Sequence, residues 1–254
     1  MKKTAAGTGE ILLDAQKIET QSMFAPIADE YFNIFYALSN GGGVYIDGDW
    51  FELEEDMLFL TMPDNLYCFD TDGSQLFRVR FSLGAADERW LAPLACDPDS
   101  SVFYISGEDV GVFRTFLNEF GSDTVEYDRL MLDAVLAKLA ASCEPFGENS
   151  TAKRARLYMR SNFRRALTLE ECAEYAALAP TYFSEVFKKE AGTNFKKSLS
   201  SVRLEFAKKL LLYTDTPTAT VCERCGFGDY ANFIRVFGQY FGASPTLFRK
   251  NANK

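Results

Sequence analysis

Phe183-Ser184-Glu185-Val186-Phe187, followed by Gly192, recurs 50 residues later as Phe233-Ile234-Arg235-Val236-Phe237, followed by Gly242. The same offset pairs Thr168 with Thr218 and Cys172 with Cys222. Apolar residues at i, i+3 and i+4 predict one helix per copy with an inward Phe/Val/Phe stripe. The glycine that follows suits a left-handed helix cap. A duplicated helical unit on a basic segment is the pattern of a protein that touches DNA twice.

Charge supports that reading. The net charge of −9 divides into −18 for residues 1–150 and +9 for residues 151–254. A basic segment suits a phosphate backbone, which the acidic pI of the whole chain conceals. The 254 residues allow two domains, each able to bury a core. Histidine is absent, which removes His-based acid/base chemistry, Ser–His and Cys–His nucleophiles and imidazole-ligated metals. No catalytic residue and no metal site are therefore expected. The six cysteines are Cys68, Cys96, Cys143, Cys172, Cys222 and Cys225. Cys222 and Cys225 form a lone CxxC without a second pair, so they read as small core residues rather than zinc ligands. No run of about 18 apolar residues suggests a membrane span. Met1-Lys2-Lys3-Thr4-Ala5-Ala6-Gly7 has no apolar stretch after it, so a cytoplasmic address is expected.

Along the chain the hydrophobic period changes. From about Tyr31 to Ser106 short strands alternate with turns: Val44–Ile46, Trp50–Leu53, Met57–Thr61, Leu66–Phe69, Gln75–Ser82 and Val102–Ser106. Asp47-Gly48-Asp49 is a hairpin signal, and Pro63-Asp64-Asn65 and Asp72-Gly73-Ser74 mark further turns. Many short strands suggest a small barrel or sandwich. Amphipathic helices then follow, one through Val110, Phe113, Phe116, Leu117 and Phe120, the next from about Ser122 to Ser142. On the latter, Leu132, Val135, Leu136 and Leu139 form a stripe expected at a dimer interface, with packing on its own barrel as the alternative. Pro145 and Gly147 mark a linker.

The C-terminal part reads as all helix. Helices are predicted over Lys153–Phe163, after the capping box Thr168-Leu169-Glu170-Glu171, over Pro180–Glu190, from the cap Asn194 to about Tyr213, up to Cys225, over Tyr230–Tyr240, and from Pro245. The helix after Asn194 would be about 30 Å long, close to the roughly 34 Å of one DNA turn. With the phenylalanines inward, Thr181, Ser184, Glu185 and Lys188 fall on the outer face of the first copy. Ala231, Ile234, Arg235 and Gly238, flanked by Tyr230 and Asn232, do so in the second. Arg235 suits guanine O6/N7, Glu185 suits cytosine N4, and Ala231 or Ile234 suits a thymine methyl. An ordinary solvated helix face is the alternative for each.

These residues resemble the DNA-binding domain of the AraC/XylS family of bacterial transcription regulators. The resemblance runs from about Lys153 to Arg249. It is carried by Leu167–Ala173, Ala179–Ser184 with Phe187-Lys188-Lys189 and Gly192, Arg203-Leu204 with Ala207–Leu212, Cys225-Gly226-Phe227, and Tyr240-Phe241-Gly242 with Ser244-Pro245. It implies two helix-turn-helix units, each with a recognition helix in the major groove. By position, the first would read bases through Thr181, Ser184 and Glu185, with Lys188 beside them, and the second through Tyr230, Asn232 and Arg235. Glu185 stands where the family often has a basic residue, and Gly238-Gln239 where it commonly has a basic pair; both departures weaken phosphate attraction.

Tyr45–Gly48, Leu53–Leu60 and Pro63–Asn65 are similar to the cupin-type sensor barrel that precedes many such domains. The fold implied is α+β with two domains, a cupin-like β-barrel with trailing helices and an all-α double helix-turn-helix. The boundaries expected are 1–108 for the barrel, 109–143 for a helical dimerisation segment, 144–151 for a linker and 152–254 for the DNA-binding domain. Its partners would be duplex DNA in two successive major grooves, a second copy, RNA polymerase and a small organic effector, with no metal and no membrane. Arg78 and Arg80 share one strand face and would suit a carboxylate if that face is inward. Two alternatives stay open: a barrel serving only dimerisation or a protein partner, and a cupin-like enzyme fused to a DNA-binding domain.

Overall fold

The chain forms two compact units, residues 1–149 and 150–254. The structure, a computed structural model, describes residues 12–20, 25–70, 73–96, 102–104, 108–121, 124–141 and 150–252. The linker expected at 144–151 falls outside these residues except for its last two positions, as do Asp72, Cys143 and the end of the helix at Ser142.

The first unit contains strands β1 (Leu13–Glu19), β2 (Phe32–Ala37), β3 (Gly43–Ile46), β4 (Asp49–Glu52), β5 (Met57–Thr61), β6 (Tyr67–Asp70), β7 (Gln75–Phe81) and β8 (Val102–Tyr104). Helix α1 (Glu88–Cys96) precedes β8, and α2 (Glu108–Glu119) and α3 (Val125–Ala141) follow it. The architecture is α+β, with strands in this unit and helices alone in the other. The strands are arranged as two antiparallel sheets, β1-β7-β2-β5-β8 and β4-β3-β6. Among the described residues no ladder closes them into a barrel.

The β3–β4 hairpin forms where the sequence signals it. Asp47 and Gly48 both hold positive φ, 53° and 98°, the backbone that a two-residue turn between right-twisted strands requires. The Asp47 carboxylate accepts from the Leu66 N–H at 2.8 Å, tying the hairpin tip to the start of β6.

Alternation along the strands builds the core. Phe35, Ala37, Met57, Phe59 and Leu76 of the larger sheet meet Val44, Ile46, Tyr67 and Phe69 of the smaller one in a single buried cluster. Phe35 stacks on Phe59 at 4.7 Å and meets Tyr67 and Phe69 edge-on. These rings fill the space between the sheets. Arg78 and Arg80 alternate with Phe77 and Val79 and so share the face of Leu76, toward the smaller sheet. Arg80 lies over the Tyr31 ring at 5.5 Å and 3.8 Å from Asp14. The Nε atoms of both arginines are buried without a hydrogen-bond partner among the described residues.

The four residues expected at a dimer interface lie elsewhere. Leu132, Val135, Leu136 and Leu139 are at most 3% exposed within the single chain. α3 packs on α1, a helix absent from the sequence expectations, and on α2, and the stripe is covered within the unit. An amphipathic stripe specifies burial but not the surface that buries it. Replacing Leu136 and Leu139 together by glutamate should therefore abolish the cooperative unfolding of the first unit, because each buried carboxylate costs several kcal/mol. Circular dichroism melting checks this; a soluble monomer with an intact melt would instead put the stripe at a subunit boundary.

Candidate nucleic-acid interface

The second unit is seven helices among the described residues: α4 (Thr151–Asn162), α5 (Leu169–Tyr175), α6 (Pro180–Ala191), α7 (Phe195–Tyr213), α8 (Thr218–Arg224), α9 (Tyr230–Phe241) and α10 (Pro245–Ala252). α6 and α9 each run twelve residues and end at a glycine in the left-handed conformation, Gly192 at φ 68° and Gly242 at φ 75°. Phe183, Phe187, Phe233 and Phe237 are all fully buried, which fixes the rotation of both helices about their axes.

Side-chain caps and ion pairs restrain α5, α7 and α9. The Thr168 hydroxyl accepts from the Glu171 N–H at 3.2 Å while Glu171 takes the Thr168 N–H at 2.8 Å, closing the predicted capping box. Arg165 bonds the same glutamate and holds its carboxyl below the usual range. Arg154 donates to the Tyr175 carbonyl at the end of α5. Asn194 and Asp229 cap α7 and α9 through the Lys197 and Asn232 N–H groups.

The two units are not identical in register. The turn bond Leu178 N–H to Ala173 O recurs as Phe227 N–H to Cys222 O, and Ala177 N–H to Glu174 O recurs as Gly226 N–H to Glu223 O. The supporting helices and their turns thus correspond at an offset of 49, whereas α6 and α9 correspond at 50. Cys172 corresponds to Val221 and not to Cys222; Thr168 caps its helix while Thr218 is already the first helical residue after Pro217. One extra residue lies in the second turn, between α8 and α9.

The turn positions differ in chemistry as well. Ala177 holds φ 56°, a left-handed conformation that an L-residue adopts at a cost, and its counterpart is Gly226 at φ 76°. A Cβ on Gly226 would stand 2.4 Å from the Phe163 carbonyl oxygen and 2.8 Å from that of Arg164. The Arg203 Nε donates to the same Phe163 oxygen at 2.9 Å and its Nη2 to the Arg165 oxygen at 2.8 Å. The end of α4 is therefore clamped between α7 and the second turn. This ties one helix-turn-helix to the other through more than the connecting helix.

On the outer faces, Thr181, Ser184, Glu185 and Lys188 of α6 are exposed, as are Tyr230, Asn232 and Arg235 of α9. Ala231 is exposed too, whereas Ile234 and Gly238 are half-buried. Arg235 is held in place by its own helix: Nη2 donates to Asn232 Oδ1 at 2.8 Å and Nη1 to Gln239 Oε1 at 3.2 Å. Tyr182, 58% exposed, is part of the same surface and was missed by the sequence reading, although the 50-residue offset pairs it with Asn232. Gln239 was read only as a missing cation, and its role as a brace depends on the i, i+4 geometry of a formed helix.

Cys172, Cys222 and Cys225 are buried. Burial pushes the thiols of Cys172 and Cys225 up to about 12, so both remain protonated and poorly nucleophilic at neutral pH. No group of three or more His, Cys, Asp or Glu residues among the described ones is placed to hold a metal. No described helix is long and apolar enough to cross a membrane.

Two capped helices of one length, each set on a shorter supporting helix, define a helix-turn-helix protein. A family model described as a helix-turn-helix domain matches residues 172–251. The regulatory protein PocR of Salmonella typhimurium is 31% identical over 110 residues, covering 43% of this chain and 36% of that protein. YfiF of Bacillus subtilis, described as an uncharacterized HTH-type transcriptional regulator, is 24% identical over 242 residues, covering 86% and 76%. The C-terminal domain of AraT, a response regulator from Geobacillus stearothermophilus, is 34% identical with a TM-score of 0.40, covering 42% of this chain and 88% of that one. The chain thus spans about a third of PocR and three quarters of YfiF. Its C-terminal unit is the doubled helix-turn-helix domain of the AraC-type transcriptional regulators.

The turn geometry yields a paired prediction. Gly226→Ala should destabilise the protein by about 2 kcal/mol or more, from left-handed strain plus the clash with α4. Ala177→Gly should stabilise it by about 0.5–1 kcal/mol, the relief of strain exceeding the added chain entropy. Denaturant unfolding of the two variants checks both signs.

Proposed function

We propose that this protein is a sequence-specific transcription regulator whose α6 and α9 enter successive major grooves of duplex DNA. The observation that carries this is the pair of matched helices, each rotated by two buried phenylalanines so that short polar and charged side chains face outward. α7, nineteen residues long, spans about 28 Å, near the 34 Å or so of one DNA turn. Thr181, Ser184 and Glu185 contact bases in the first groove, with Lys188 beside them; Tyr230, Asn232 and Arg235 contact bases in the second. Arg235, held by Asn232 and Gln239, presents its guanidinium to guanine.

In this reading residues 152–254 form the DNA-binding domain and the first unit is the control domain. A second copy, RNA polymerase and a small organic effector are its partners, it acts in the cytoplasm, and it catalyses no reaction. Pairing of two copies uses a surface other than Leu132, Val135, Leu136 and Leu139, since these lie inside the unit. The ring-filled space between the sheets favours a second reading, in which the first unit serves assembly or a protein partner and takes no ligand there.

Residues 150–254 should bind duplex DNA with an affinity that falls steeply with salt, because phosphate contacts release counterions. Arg235→Ala should cost about 1–3 kcal/mol and relax preference at one base pair. Glu185→Ala should loosen preference at one position if the carboxylate reads cytosine, and tighten binding to every sequence if it only repels phosphate. Selection from a genomic library followed by salt titration measures all three. A fragment with salt-insensitive or undetectable binding to every duplex ends the proposal.

A further inference from the structure

A second feature lies in the first unit, on the side of the larger sheet that faces away from the ring-filled core. Tyr36 and Phe77 stand on that face, and α2 covers them through Arg114 and Leu117, leaving a partly open cavity of about 240 Å³. This is smaller than the roughly 300–1,000 Å³ of sites for drug-sized molecules, so an occupant must be short.

The polar chemistry of the cavity is already half spent. Asp56 holds φ 70°, a left-handed conformation that Asp tolerates better than most residues, and its carboxylate takes the Tyr36 hydroxyl hydrogen. Arg114 donates to Asp56 through Nε at 3.3 Å and Nη2 at 3.1 Å, and to Glu55 through Nη2 at 3.2 Å. One guanidinium and one neutral phenol thus serve both acids, and the Lys17 ammonium on the same cavity brings the second positive charge. None of these carboxylate bonds uses Arg114 Nη1. The Lys17 ammonium, on exposed β1, lines the same cavity, as does the Asn118 amide. What remains uncommitted is mostly donors, two of them on cations, beside the second Glu55 oxygen and the Asn118 amide oxygen, and the rest of the wall is apolar: Leu38, Phe77 and Leu117. Donors beside an apolar wall select an anion with a hydrocarbon body.

We propose that this cavity binds a small organic monocarboxylate, its carboxylate on Lys17 and Arg114 and its apolar body against Leu38, Phe77 and Leu117. A carboxylate arriving at Arg114 competes with Asp56 and Glu55 for the guanidinium that fastens α2 to the sheet. Occupancy therefore alters how that helix is held. As a control point the site rests on the regulator reading above; as a binding site it does not.

Calorimetric titration of the full-length protein with hexanoate, hexanamide, hexylamine and acetate tests the assignment. Hexanoate should bind, and hexanamide and acetate should bind at least tenfold more weakly, lacking the charge or the body. Lys17→Glu should weaken hexanoate at least tenfold and favour hexylamine instead; it replaces an exposed side chain and should leave the fold intact. Arg114→Gln should weaken hexanoate similarly, provided its circular dichroism melt matches the parent. Arg78→Gln should change nothing, since Arg78 faces the other side of the sheet. Tighter binding of hexylamine than of hexanoate to the parent protein overturns the ligand class. Loss of hexanoate binding in Arg78→Gln but not in Lys17→Glu moves the ligand between the sheets and overturns the site. If no probe binds while residues 150–254 still bind DNA, the site alone falls.

Discussion

The burial of two phenylalanines one turn apart, in each of two helices, is the constraint on which the C-terminal unit depends. A twelve-residue helix alone is marginal in water, so α6 and α9 owe their persistence to packing rather than to propensity. Each buried ring contributes roughly 1.5–3 kcal/mol, and removing one would cost about 3–5 kcal/mol. The same burial sets the azimuth of the helix, because residues at i, i+3 and i+4 share a face. Once Phe183 and Phe187 point inward, Thr181, Ser184, Glu185 and Lys188 have no choice but to point out. Stability and presentation are therefore one arrangement in this unit.

That arrangement explains which parts of the molecule were legible in the sequence. In the second unit, caps and period agree: Thr168, Asn194 and Asp229 begin helices, and Gly192 and Gly242 end them. In the first unit the signals conflict. β1 is an edge strand of mixed residues, Leu13-Asp-Ala-Gln-Lys-Ile-Glu19, whose two faces differ little in polarity, so alternation does not mark it. α1 carries Pro93, which reads as a breaker, yet the helix runs through it. Without a signal for α1, the leucine stripe of α3 shows no intramolecular helix to pack on, although it is buried within the unit. The one-residue shift between the two halves was hidden by coincidence, since Thr218 and Cys222 place residues of the expected type one position away from their structural counterparts.

The candidate contact residues divide in the same manner. Side chains fixed by helix period alone, such as Ser184, Glu185 and Arg235, could be placed on the outer face from spacing. Those whose meaning comes from a neighbour were not legible. Arg203 shows its role only when the chain brings the end of α4 back to it, 40 positions away in sequence. Gly226 is required by its positive φ, and the close approach of Phe163 and Arg164 is a second, tertiary reason for glycine there.

The departure from symmetry is where the two halves acquire different tasks. Glu185 and Arg235 occupy the same position on α6 and α9, 50 residues apart, yet carry opposite charge. At this one position a nearby phosphate would be repelled by the carboxylate and attracted by the guanidinium, while Lys188 and Lys189 against Gly238 and Gln239 reverse the difference one turn on. The second half also braces its cation with Asn232 and Gln239, which would lower the entropy lost if the guanidinium were fixed against a ligand. The longer turn before α9 separates that helix from the register of its counterpart by one residue. A duplicated unit with identical buried rings thus supports two unlike outer faces, because the packing that fixes the helices leaves the exposed positions free to diverge.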